Sequence, residues 1–246
     1  MLLPVAVSIL VGALAQRITG MGFALIAAPA LVILLGPFDG VVIVNLCAVV
    51  SSLLILPRVW RHVEWHRFGW LVVQALAGTV AGAVVAARLP GPALQVGIGV
   101  LVVIALTVSL IVTRTDHVAT GRAPAIVAGG ASGFMNAAAG VGGPALSVYA
   151  VATRWPQVTF AATAQPYFVA IGVASLVGKL GATGWALPGL EPGSWLLVIV
   201  ALLVGLGLGE LLHRHIPHRA ARIAVIVIAY AGSAAAIIDG ASKLWG

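Results

Sequence analysis

Almost the whole chain consists of apolar runs, interrupted only by short charged or Gly- and Pro-rich joints. The runs cover about 3–16, 19–35, 38–57, 68–87, 91–112, 123–138, 140–153, 157–178, 193–212 and 220–238. Of the 246 residues 61% are hydrophobic and 8% charged, against about 25% charged in a soluble domain. So little charge cannot coat a water-exposed surface, which argues against a soluble enzyme or a disordered chain. The one cysteine, Cys47, has no internal partner, which argues against a disulfide scaffold. The runs are unbroken rather than alternating in polarity, so they do not suit a transmembrane β-barrel. An all-α, polytopic transmembrane bundle fits, with length for roughly eight to ten segments of about 20 residues.

The net charge of +7 would point to nucleic acid in a soluble protein, but here the basic residues sit mainly between apolar runs. There they set orientation in the membrane, and no nucleic-acid partner is expected. Ala13-Leu14-Ala15 has the form of a signal-peptidase site, yet no positive residue precedes it and a second apolar run follows at once. The chain is therefore read as membrane protein from residue 1.

Two pairs of runs, 3–16/19–35 and 123–138/140–153, meet at glycine clusters: Gly20-Met21-Gly22 and Gly140-Val141-Gly142-Gly143-Pro144. A 14-residue run rises only ~21 Å, short of the ~30 Å hydrocarbon core. Glycine opens backbone conformations closed to other residues, and proline removes a donor. Each pair is read as a broken or re-entrant hairpin, with two long kinked helices as the alternative. Spacing also repeats. Gly20-x-Gly22 recurs at Gly140-x-Gly142, and Asn45 falls on Gln165 at the same offset of 120. The pattern G-x3-G-x7-P at Gly78, Gly82 and Pro90 returns at Gly205, Gly209 and Pro217. An internal duplication follows, with one repeat at 1–115 and the second at 120–246, together a single membrane domain.

Charge placement says how the halves are related. With each pair as a hairpin, Arg58, Arg61, Arg67, Arg114, Arg122, Arg154, Arg214, Arg219 and Arg222 fall on one side, against Arg88, Lys179 and Lys243: 9 to 3, with Arg17 at a hairpin apex left out. With each pair as one span there are eight spans, and the better orientation gives 7 against 5. The positive-inside rule favours hairpins. Five segments per half is an odd number, so the second half is inverted relative to the first, as in many secondary transporters. This arrangement puts the C-terminus outside the cytoplasm.

Helices restarting after Gly20–Gly22 and after Gly140–Gly143 would expose unpaired N–H groups, which together with the helix dipole favour an anion. Two such ends facing one another would form a small anion site near midplane. The candidate residues are Thr19, Gly20, Met21, Gly22, Asn45, Asn136, Gly140, Gly142, Gly143, Pro144 and Gln165. Arg17 either joins them or reaches a nearby interface, because a lone Arg at the bilayer centre costs at least ~2.5–3.5 kcal/mol. Glu210 is the one acid inside an apolar run and is expected to pair with Arg214 four residues on. Coupling to H+ or Na+ stays open. Six tryptophans near segment ends suit interfacial anchors, and the arginines around 214–222 suit lipid headgroups.

No P-loop, nucleotide fingerprint or G-x-S-x-G is present, so ATP-driven transport and enzyme activity are not expected. His62 and His66, and His213, His215 and His218, lack the ligands that would complete a metal shell, and no cofactor is expected. At this point the chain resembles the sulfite exporter TauE/SafE family. The resemblance is carried by Gly20-Met21-Gly22 with Pro29-Ala30-Leu31, by Gly140-Val141-Gly142-Gly143-Pro144 with Ser147-Val148-Tyr149, and by the two G-x3-G-x7-P stretches. It implies a permease for small sulfur-containing anions, such as sulfite or organosulfonates, in a bacterial inner membrane. An anion channel and a non-transporting scaffold are the alternatives.

Overall fold

The computed structural model describes residues 2–20, 22–112, 118–213 and 215–245, and among them helices joined by short connections are the only regular structure. The helices are α1 (Leu2–Thr19), α2 (Phe23–Leu35), α3 (Pro37–Val59), α4 (Trp65–Arg88), α5 (Gly91–Val112), α6 (Ala123–Ala139), α7 (Gly143–Ala152), α8 (Gln157–Ala182), α9 (Pro192–Leu212) and α10 (His218–Trp245). A single 3-10 turn, Trp60–His62, links α3 to α4. Each apolar run has become one helix. Seven of them (α1, α3, α4, α5, α8, α9 and α10) are long and apolar enough to cross a membrane. The expected repeat boundary falls partly at 113–117, outside the described residues.

The packing exchanges the two halves. α1 lies on α9 and α6 lies on α4, so the first helix of each half packs on the fourth helix of the other. Both pairs run parallel. Gly205 packs on the Leu10 carbonyl and Gly209 on Arg17 and the Leu14 carbonyl; Gly129 meets Leu71 and Gly133 meets Ala75. The small residues matter because a side chain at Gly78 or Gly133 would overlap the backbone of Gly130 or Ala75.

The third helices pair with each other, as do the fifth, and both pairs are antiparallel. Asn45 and Val49 of α3 meet Gly172 of α8, while Val42 clusters with Leu176 and Leu180. In the other pair Gln95 of α5 donates to the Ala236 carbonyl (3.2 Å) and Asp239 (2.6 Å), and Thr107 bonds Tyr230 (2.8 Å). Equivalent helices that cross antiparallel are related by a two-fold axis perpendicular to them, lying in the plane of the membrane. The repeats are thus inverted. Eight full spans would have made α3 and α8 parallel, so that alternative is overturned.

Two expectations about the hairpins need correction. α1 does not stop near residue 16 but continues through Gln16, Arg17, Ile18 and Thr19, rising ~27 Å, and α6 rises ~26 Å. Only the second arms fall short: α2 rises ~20 Å and α7 ~15 Å, below the ~30 Å core. Moreover, the two breaks do not face one another. Gly20 approaches Ala161 in the second turn of α8, and Gly140 approaches Val41 and Val44 near the start of α3. Because α3 and α8 are antiparallel, the breaks are offset along that pair. Asn45 and Val42 of α3 face Gly172 and Leu176 of α8, so counted from Ala161 at 1.5 Å per residue the offset is roughly 16–22 Å. The physical reason for the longer α1 is that the helix stops at Gly20, whose φ is +87°, and not at the charge of Arg17.

Candidate functional site

The two breaks share one backbone design. Gly20 has φ +87° and Gly140 φ +73°, a left-handed conformation that side chains disfavour. Each caps its helix through an N–H bond to the residue four earlier, Gly20 to the Gln16 carbonyl (2.7 Å) and Gly140 to the Asn136 carbonyl (2.8 Å). Two residues on, Gly22 (φ −84°, ψ −17°) and Gly142 (φ −85°, ψ −19°) begin the short helices in matching geometry. Met21 lies outside the described residues. Behind the second break Ser132 donates to the Gly142 carbonyl (2.8 Å). Ser132 Oγ and O both lie 2.9 Å from where a Gly142 Cβ would be.

Just before each break a buried amide ties the hairpin to the third helix of its own half. Asn136 Nδ2 donates to Asn45 Oδ1 (2.9 Å) and to the Ile171 carbonyl (3.3 Å). Gln16 Nε2 donates to Ser51 Oγ (2.8 Å). Gln16 and Asn136 are 120 residues apart, as are Ser51 and Ile171, so these are the same contact made twice. Gln16 was not among the candidate residues, although the offset of the glycines points to it. Asn45 also donates to the Val41 carbonyl (3.1 Å) and Ser175 Oγ (3.3 Å), and Gln165 to the Ala161 carbonyl (2.9 Å). The structure therefore brings Asn45 and Asn136 together and leaves Gln165 at the level of the other break, its Oε1 buried with no hydrogen-bond partner among the described residues.

Arg17 is held in an ion pair. Its Nε donates to Glu210 Oε2 (2.5 Å), and Arg58 Nη1 donates to the same oxygen (3.1 Å). This trio joins α1, α3 and α9. The expected partner Arg214 lies outside the described residues.

A cavity of about 500 Å³ opens among α5, α7, α8 and α10, within the range of small-molecule sites. Gly143 and Pro144 line it at the start of α7, Ser147 and Val151 line its length, and Arg154 and Arg222 stand toward its mouth. Thr19, Leu25, Ser109, Trp155, Gln157 and Phe160 complete the wall. Of the candidate residues, Thr19, Gly143 and Pro144 border this space; Asn45, Asn136, Gln165 and Arg17 do not. The mouth is firmly built. Trp155 Nε1 donates to Glu64 Oε1 (2.8 Å), Arg67 pairs with Glu64 (3.2 Å) and covers the Trp155 ring at 4.8 Å. Two guanidinium groups, hydroxyls and the positive end of a ten-residue helix suit an oxyanion.

The cavity exists because the halves differ. α2 packs so closely on α3 that a Cβ at Gly40 would lie 2.7 Å from the Leu31 carbonyl carbon and oxygen. Its counterpart α7 holds its backbone farther from α8, the two sharing side chains of one apolar cluster (Leu146 and Tyr149 with Phe160 and Ile171), and α8's first turn borders the cavity.

Ten apolar helices in two inverted halves, one half closed and the other parted around a cation-lined cavity, define an integral membrane protein built as permeases are. The chain matches the profile of the sulfite exporter TauE/SafE family over residues 5–236 and belongs to that family. Membership makes it a membrane permease of the class that handles sulfur-containing anions. No curated protein and no solved structure matches it.

Proposed function

We propose that this chain carries a small sulfur oxyanion, sulfite or an organosulfonate, across a bacterial inner membrane by alternating access. The observation that carries the reading is the asymmetry between equivalent helices, with α2 seated on α3 and α7 parted from α8. In an inverted repeat the two halves can exchange conformations. That exchange closes the cavity beside α7 and opens its counterpart beside α2, on the other face. The anion enters past Arg154 and Arg222, which pair with its oxygens, and settles near the first turn of α7. Small serine and threonine side chains give hydrogen bonds without filling the space. The arginine-rich face is cytoplasmic on this reading, and no enzymatic step is involved.

The test is uptake of radiolabelled sulfite and methanesulfonate into proteoliposomes. Saturable uptake is expected, with Arg154→Gln and Arg222→Gln each lowering it by about tenfold, the worth of one charge-assisted hydrogen bond. No uptake of either anion defeats the reading. Bilayer currents far above carrier turnover would instead make the protein a channel.

A further inference from the structure

On the face opposite the arginines, Lys179 is buried, only 3% exposed. Its Nζ has no hydrogen-bond partner among the described residues and sits 5.1 Å from the centre of the Phe38 ring. No described carboxylate lies within ion-pair distance, Asp39 of the same α3 turn included. A buried ionisable group on a membrane-crossing helix, in its last turn and with no described counter-charge, points to a pathway.

The repeat says which pathway. Trp155, Gln157 and Phe160 stand at the mouth of the open cavity, and stepping back 120 residues takes them to Leu35, Pro37 and Gly40. Those residues form the joint between α2 and α3 and the first turn of α3, the turn that holds Phe38. The counterpart of the open mouth is therefore where Lys179 lies. Arg154 maps onto Leu34, so this second mouth has no arginine from that position, and Lys179 supplies the positive charge. The start of α3, a 23-residue helix, adds the positive end of its dipole. One turn inward on α8 is Ser175, bonded to Asn45, which is bonded in turn to Asn136 beside the Gly140 break. A line of polar groups thus runs from Lys179 to the start of the α7 hairpin arm.

We infer that Lys179 is the anion's contact on the second face, receiving the sulfur oxyanion when the α2–α3 side parts. The inference rests on the permease reading, and the experiment separates the two. Sulfite uptake is measured in proteoliposomes for the wild type, Lys179→Gln, Lys179→Arg, and Lys179→Cys in a Cys47→Ala background. Lys179→Gln is expected to raise the half-saturating sulfite concentration by about tenfold or more, with Lys179→Arg close to wild type. In the cysteine variant, a methanethiosulfonate reagent carrying an ammonium group restores uptake, and one carrying a sulfonate does not. Each variant is first shown to elute as a single species in detergent; if Lys179→Gln does not, the cysteine variant and its two reagents decide. Wild-type saturation in Lys179→Gln, or equal rescue by both reagents, overturns the role of Lys179. Absence of uptake by the wild type overturns the permease reading itself.

Discussion

At the scale of single residues, a buried amide pair locks the α6 hairpin to α3. Replacing Asn136 by Leu leaves Asn45 Oδ1 without its donor, while the Ile171 carbonyl keeps its place in the α8 ladder. Hydrogen bonds between membrane helices average only about 0.6 kcal/mol, but a buried orphaned acceptor raises the cost to about 1–2 kcal/mol. Thermal unfolding in detergent should show that loss. The double variant Asn45→Leu/Asn136→Leu should lose less than the two single changes summed, because nothing polar is left stranded. Asn45 and Asn136 were both readable from the sequence as polar residues in apolar runs. Gln16 was readable only through the 120-residue offset. Lys179 was hidden, since a lysine near a segment end looks like a loop charge until burial shows otherwise.

Among the elements, close backbone approach controls the α4–α6 and α1–α9 contacts. Gly133→Leu is expected to prevent the bundle from assembling, because even a Cβ there overlaps Ala75. Gly97→Ala, on α5 with nothing within 4 Å of a new Cβ, should be neutral or raise stability by up to about 1 kcal/mol. Yield of monodisperse protein and its melting temperature distinguish the two outcomes. Segment number and order were legible because hydrophobic length is a strong signal over ten runs. Segment ends were less so. The first run seemed to end at a charge, yet Arg17 stays helical because Glu210 of α9 neutralises it, a partner 193 residues away. For the same reason the depth of the breaks was misjudged: depth follows from which helices pair, and pairing is not written in local spacing. The spacing of the glycines did disclose the duplication, since backbone geometry at Gly20 and Gly140 requires that residue type.

For the whole molecule, inversion makes a topological prediction. With the arginine-rich face in the cytoplasm, α10 ends on the outer side. A reporter fused to the C-terminus should therefore be active if it is alkaline phosphatase and dark if it is a cytoplasm-dependent fluorescent protein. The opposite result would turn the molecule over and assign the open cavity to the other compartment.

Antiparallel crossing of α3 with α8 and of α5 with α10 has a consequence for biogenesis. A body that nearly superimposes on itself when flipped offers the insertion machinery almost no shape by which to choose heads from tails. The choice is left to a few guanidinium groups at the loop ends, Arg58, Arg61 and Arg67 foremost among the early ones. Relocating them to the opposite loops would produce an upside-down copy, with the cavity that faced one compartment facing the other.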